Sequence, residues 1–351
     1  MFEIDLKRPA LVTGASGYVA GWIVKGLLEA GATVHAAVRD PQSQKVAPLK
    51  TMAEATPGTL RLFAADLLDN GSYADAMKTC GIVFHTASPF SLNVDDPQKE
   101  LIDPALLGTR NVLEEVNRTS SVTRVVLTSS CAAIYTDACD TTNAPGGRLD
   151  ESVWNETASL DYQPYSYSKT LAEREAWKIA KAQSRWDLVV LNPSMVMGPA
   201  SHGVPSSESF NIMRQIGNGT FRMGAPRLGL GMVDVRDLAQ AHLAAAYLPK
   251  AEGRNIISAH ETNLLELAMC LRERFGADYP LPRRALPKWL LWLAGPSQGI
   301  ERKFVARNVN FPWRADNSKA RLSLGLSYRP MKETMEDMFD QMAKAKAFAK
   351  T

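Results

Sequence analysis

The chain predicts an α/β fold: a doubly wound parallel sheet followed by a smaller C-terminal lobe. Three observations predict it. Short runs rich in valine and leucine alternate with helix-like stretches through residues 10–192, a glycine turn joins the first strand to the first helix, and beyond Pro193 the pattern loosens. Strands that are apolar throughout are buried on both faces, which calls for helices on either side and right-handed crossovers between parallel neighbours. A length of 351 residues exceeds one average domain and leaves room for an appended lobe.

Each element follows from its own pattern. Ala10–Thr13 reads as a buried strand, and after the glycine turn Val19, Ile23, Val24, Leu27 and Leu28 recur at helical spacing until Gly31. Thr33–Val38, Leu60–Ala64 and Ile82–Thr86 read as the second, third and fourth strands. Leu101, Leu106, Leu107, Val112, Leu113 and Val116 mark a helix before the fifth strand, Arg124–Thr128. A further helix begins near Tyr165, and Leu188–Asn192 is the sixth strand. Residues 198–229 carry Gly, Pro, Ser and His between short apolar pieces. Met232–Val235 then reads as a strand by which the chain returns to the sheet, with Asp237 capping a helix that reaches Leu248. A helix near Leu264–Phe275, the run Trp289–Ala294 and a charged, amphipathic surface helix near Lys332–Lys350 complete a lid. The expected division is residues 1–192 plus about 230–260 for the sheet domain, and about 193–229 plus 261–351 for the lobe.

Composition narrows the function. Apolar content of 45% and charged content of 22% suit a soluble globule and exclude disordered and fibrous classes. A net charge of +3 is too small to imply nucleic acid. Cys80, Cys131, Cys139 and Cys270 show neither paired nor zinc spacing, which suits reduced thiols in the cytoplasm. His35, His85, His202, His242 and His260 show no metal spacing, so no metal is expected. The N-terminus has no signal-like apolar run. Trp289–Ala294 is far shorter than the ~20 residues of a spanning helix; it reads first as a buried or lobe-packing helix, and second as a surface that meets a hydrophobic partner or substrate. The chain is expected to act as a monomer or homodimer on a small molecule.

Two motifs carry chemistry. Thr13-Gly14-Ala-Ser16-Gly17-Tyr18-Val19-Ala20 stands between a strand and a helix, where a dinucleotide pyrophosphate meets bare backbone and a helix N-terminus. Gly14 makes the turn, Gly17 admits the phosphate, and Ala20 lets the helix lie close on the sheet. At the end of the second strand Arg39, with Lys45 six residues on, suits the 2′-phosphate of NADP, so NADPH is expected before NADH. Asp40 caps the next turn. Asp66, followed by Leu67, is placed to accept hydrogen bonds from an adenine amino group or to form a turn, and Thr86-Ala87-Ser88 lie along the cofactor. The second motif is Tyr165-x-x-x-Lys169 at the start of a helix, which puts phenol and ammonium on one face, one turn apart. The ammonium favours the phenolate and is expected to draw the tyrosine pKa down from ~10. Tyr328 and Lys332 repeat the spacing, but Pro330 lies between them and a surface turn is expected.

These motifs, with Val38-Arg39-Asp40-Pro41, Phe84-His-Thr-Ala-Ser-Pro89, Leu127-Thr-Ser129-Ser130 and Asn192-Pro-Ser-Met-Val-Met-Gly-Pro199, resemble the extended short-chain dehydrogenase/reductases. Within them the chain is similar to the dihydroflavonol 4-reductase and cinnamoyl-CoA reductase group, which includes NADPH-dependent carbonyl and aldehyde reductases. The resemblance implies a Rossmann domain with a catalytic triad of Ser130, Tyr165 and Lys169. Tyr165 would protonate the carbonyl oxygen, Ser130 would hydrogen-bond it, and Lys169 would lower the tyrosine pKa and bind the nicotinamide ribose. Ser129, Pro193, Ser194 and Val196 would border the cofactor, while Phe90, Tyr135, Met195, Met213 and the 200–230 stretch would wall the substrate pocket. Three departures qualify the likeness. Ala20, followed by Gly21, replaces a third glycine; Tyr135 stands where flavonoid reductases carry Asn or Asp; and Tyr162-Gln-Pro-Tyr-Ser-Tyr-Ser-Lys169 differs from the signature of CoA-ester reductases. An aldehyde or ketone with an apolar body is the substrate class left. Nucleotide-sugar epimerases and dehydratases, and steroid-type dehydrogenases, share the scaffold; Arg39 argues against the NAD-bound epimerase class.

Overall fold

The computed structural model describes residues 2–88 and 94–348. Strands β1 (Ala10–Thr13), β2 (Thr33–Val38), β3 (Thr59–Ala64), β4 (Ile82–His85), β5 (Arg124–Thr128) and β6 (Asp187–Pro193) are joined by β9 (Gly253–Ile257) in one seven-stranded sheet of order β3-β2-β1-β4-β5-β6-β9. Every pairing in it is parallel. Successive side chains of a strand point to opposite faces, and the core divides accordingly. Val12, Val34, Ala36, Phe84, Val126, Val189 and Leu191 pack with helix α1 (Tyr18–Glu29), whereas Leu11, Val83, Val125, Leu127 and Val190 pack with helix α3 (Asp103–Arg118) on the other side. Helix α2 (Ala47–Glu54) covers the β2–β3 end through Leu49. Helix α4 (Pro164–Lys181) lies beside α3, with Ala176 in the second cluster.

Strand order reverses at β1. The chain moves outward from β1 to β2 and β3, then crosses back to place β4 on the other side of β1. The loops after β1 and β4 therefore diverge and leave a crevice at the carboxyl ends of the strands.

Beyond β6 the structure departs from the expected route. The chain leaves the large sheet at Pro193 and enters a second, three-stranded sheet of order β10-β8-β7, made of β7 (Met195–Met197), β8 (Gly229–Asp234) and β10 (His260–Asn263). The strand expected near Met232 thus belongs to the small sheet. The return to the large sheet is made by β9, whose Gly253-Arg254-Asn255 start has no apolar pattern. Asp234 is the cap of helix α6 (Val235–Tyr247), its side chain accepting from the Arg236 N–H at 2.7 Å. Asp237, expected as the cap, lies inside the first turn, where it is buried and binds Arg329.

The lobe has its own core. Helices α5 (Glu208–Gly217), α7 (Leu264–Cys270) and α10 (Met331–Lys344) contribute Phe210, Met213, Ile216, Leu267, Met335, Met338, Phe339 and Met342. The final helix is thus amphipathic with a wholly buried face. Helix α8 (Lys288–Ala294) is the second of its two expected forms: instead of packing inward it leaves Trp289 65% and Leu293 58% exposed. Helix α9 (Arg302–Asn308) follows it. Tyr328 is half-buried against the main core, and Pro330 ends its segment before α10 begins, so Tyr328 and Lys332 share no helix. Among the described residues no helix is long and apolar enough to cross a membrane.

Candidate active site

Thr13 ties the two sides of the crevice together. Its hydroxyl oxygen accepts the backbone N–H groups of Thr86 at 3.1 Å and Ala87 at 3.0 Å, and Thr86 Oγ1 donates to the Thr13 carbonyl at 2.5 Å. Behind it His85 Nδ1 lies 3.0 Å from the same hydroxyl, and burial, with Lys169 nearby, pushes the imidazole down to about 3. This histidine is a neutral structural spacer.

The crevice holds a cavity of about 510 Å³ lined by Gly14, Ser16, Gly17, Ala37, Val38, Arg39, Ala65, Asp66, Leu67, Leu68, Tyr73, Thr86, Ala87, Ser88 and Pro104. Three features fit a dinucleotide there. Gly14 has φ +62°, and a Cβ on it would stand 3.1 Å from that of Ala87, so this turn requires glycine. Gly17 starts α1 with no side-chain cap and no acid in the first turn, which leaves the helix N-terminus open to an anion. Arg39 lies on the same wall, while Asp40 Oδ1 accepts the Gln42 N–H at 2.8 Å and so serves the turn. Asp66 forms the turn, one carboxylate oxygen taking the Leu68 N–H at 2.9 Å, and the residue also lines the cavity.

Other expected cofactor residues do not line this cavity. The Tyr18 hydroxyl donates to the Gly198 carbonyl at 2.6 Å, bracing α1 against the small sheet, and Val19 packs into the main core. Lys45 is exposed, on the helical turn that starts at Gln44. Pro193 ends β6; the Ser194 N–H bonds the Ile257 carbonyl at 3.1 Å, and Val196 rests against the main core. The Ser129 side chain was expected on the cofactor side, but it is buried and its hydroxyl donates to Glu173 Oε2 at 2.5 Å. Size and polarity explain the difference: a buried carboxylate recruits every donor within reach.

Ser130, Tyr165 and Lys169 do converge. The Ser130 side chain hydrogen-bonds the Tyr165 phenol and also accepts the Ala132 N–H at 3.1 Å. Lys169 Nζ is 5.7 Å from the Tyr165 ring centre and donates to Ser88 Oγ at 2.9 Å, which links the helix to the crevice. The pKa expectation for Tyr165 needs correction. Burial pushes the phenol up to about 12, with only the Ser130 hydrogen bond opposing it. Burial instead drives Lys169 down to about 8, against the upward pull of Glu173. A phenol that keeps its proton at neutral pH is the starting form of an acid.

Glu173, one turn beyond Lys169, anchors a buried network that sequence reasoning did not assign. It accepts from Arg254 Nε at 2.6 Å, Asn192 Nδ2 at 2.7 Å and Ser129. The spacing from Lys169 was its one sequence signal. Tyr165 also borders a second cavity of about 310 Å³, shared with Leu101, Tyr162, Gln163, Pro164, Gly299, Ile300, Glu301 and Phe304. The expected pocket walls lie elsewhere. Met213 is fully buried in the lobe core, Met195 packs against that core, and Tyr135 packs 5.8 Å from Trp313; Phe90 lies outside the described residues. Asp137, Cys139 and Asp140 bring possible ligand atoms within 4.8 Å of one another, but Arg307 already binds both carboxylates.

Comparison with known proteins agrees with this fold. Cinnamoyl-CoA reductase CAD2 of Medicago truncatula is 36% identical over 99% of each chain. An anthocyanidin reductase of Vitis vinifera is 36% identical over 79% of this chain and 83% of its own. Yeast methylglyoxal/isovaleraldehyde reductase Gre2, solved as its NADPH complex, superimposes with a TM-score of 0.76 at 25% identity, covering 97% of this chain and 100% of that one. Residues 10–258 match the profile of the NAD dependent epimerase/dehydratase family, and the chain belongs to that family, within its extended short-chain dehydrogenase/reductase branch.

Proposed function

We propose that this protein is an NADPH-dependent reductase that converts an aldehyde or ketone with an apolar body to the alcohol. The observation that carries the reading is the junction at Tyr165: a protonated phenol, hydrogen-bonded by Ser130, one helical turn from an amine that reaches the cofactor crevice at Ser88. NADPH held in the crevice supplies the hydride. Gly14, Gly17 and the open N-terminus of α1 receive the pyrophosphate, and Arg39 receives the 2′-phosphate. Asp66 takes the adenine amino group.

Reduction leaves negative charge on one oxygen, and Ser130 and Tyr165 supply the two donors that meet it. Tyr165 gives up its phenolic proton to that oxygen as the alcohol forms. The Lys169 ammonium lowers the cost of the resulting phenolate, since a positive charge on the same helix face favours the anion. The protein acts as a monomer or homodimer, and its four free thiols support a reducing cytoplasmic setting.

The test is Tyr165→Phe, assayed by NADPH absorbance with an aldehyde panel alongside direct NADPH titration. Turnover falls at least about a thousandfold, while NADPH affinity changes less than about threefold. Undiminished turnover in this variant would sink the reading.

A further inference from the structure

Met213, one expected wall of the substrate pocket, is buried in the lobe core, which leaves room for another residue in that role. The cavity beside Tyr165 supplies one. It lies between the start of α4 and a strap running from Gly299 into α9, and its apolar surface comes from Leu101, Pro164, Ile300 and Phe304. We infer that Leu101, Ile300 and Phe304 form the specificity wall of the active site, holding the apolar, planar body of the substrate while its carbonyl reaches Ser130 and Tyr165. The inference rests on the reductase reading above.

Four observations support it. The cavity is bounded by the acid itself, so a molecule filling it is in contact with Tyr165. Its volume of about 310 Å³ is enough for a ring-bearing small molecule. Tyr162 is already engaged: its hydroxyl donates to Asp137 Oδ1 at 2.8 Å, and Lys303 lies 3.5 Å above the Tyr162 ring. What remains is a mixed lining, in which Leu101, Pro164, Ile300 and Phe304 supply the apolar faces and Gln163 and Glu301 the polar ones.

The strap is also held in place for this task. Gly299 has φ +74°, a left-handed turn without a Cβ, and the Ile300 N–H returns to the Gly295 carbonyl at 2.9 Å. Gly295 directly follows α8, whose Trp289, Trp292 and Leu293 are exposed. Ile300 is itself 37% exposed, so the rim of the cavity carries an apolar side chain. An apolar substrate is partly desolvated against Ile300 on the way in.

The test compares 3-phenylpropanal with propanal, which share the aldehyde and differ by the phenyl ring, in the unaltered protein, Phe304→Ala and Phe304→Leu. The ratio of kcat/KM for the two aldehydes falls about tenfold in Phe304→Ala, mainly through KM, and is largely restored in Phe304→Leu. Far-ultraviolet circular dichroism and melting temperature confirm that the variants are folded. A ratio unchanged by Phe304→Ala, with both aldehydes still reduced, would overturn this assignment and leave the reductase reading standing. Failure of the unaltered protein to reduce either aldehyde would overturn both.

Discussion

Lys169 is where burial and function pull against each other. Its amine is 8% exposed as a residue, and burial drives its pKa down to about 8 from an ordinary value of 10.5. The ammonium is therefore present at neutral pH and disappears as pH rises through about 8. The folded chain binds fewer protons than the unfolded chain between the two values, so this group's contribution to stability improves across that window. Activity and stability are thus expected to move in opposite directions. The kcat/KM for NADPH, which reports the free enzyme, falls above about pH 8, while denaturant titrations show no matching loss from this residue. A kcat/KM that stays level to pH 10 refutes the role given to Lys169. Tyr165 does not set this limb, because burial holds its phenol near 12. Here the sequence was informative about which residues meet and misleading about which one shifts: spacing reveals neighbours, but desolvation depends on everything packed around them.

Within α4, Tyr165, Lys169 and Glu173 recur every fourth residue and so lie along one helix face. The first pair was legible from its spacing and from the strand-end serines. The significance of Glu173 was hidden, because Arg254 and Asn192 come from two strands that neighbour one another only in the finished sheet. For the same reason β9 had no readable pattern: Arg254 is polar yet buried, and its burial makes sense only once Glu173 faces it. The consequence is measurable. Glu173→Gln leaves Arg254 without its counter-charge and is expected to cost about 3–5 kcal/mol in a denaturant titration, as removal of one partner of a buried pair does. Because Glu173 raises the Lys169 pKa, the same variant also moves the alkaline limb of kcat/KM to lower pH. A stability loss with an unmoved limb would mean that Glu173 supports the fold alone.

For the whole molecule, the strands through β6 and helices α1, α3 and α4 were written in local pattern, whereas α2, with Leu49 its only buried side chain, was not; the crevice was legible too, since a glycine turn between strand and helix is a local signal. The lobe was not, because its sheet and core join short segments from residues 195–348 whose periodicity is weak one at a time. The cavity beside Tyr165 is the extreme case, with Phe304 far along the chain. Global stability nonetheless gives a single readout of the crevice, since a ligand bound only by the folded chain stabilises all of it. NADPH at a hundred times its Kd is expected to add about 2.7 kcal/mol. NADH at the same concentration adds less, because it carries no 2′-phosphate for Arg39, which lines the cavity at the end of β2. One charge-assisted contact of this kind is worth about 1.5–3 kcal/mol, so Arg39→Gln weakens NADPH binding by about tenfold to a hundredfold and leaves NADH almost untouched. Melting temperatures of both proteins with each nucleotide test this directly: the gap between NADPH and NADH is wide in the unaltered chain and narrow in Arg39→Gln. If both nucleotides lose equally, Arg39 is holding the β2 end in shape instead of reading the phosphate, and the cofactor preference must be assigned to another residue of the crevice.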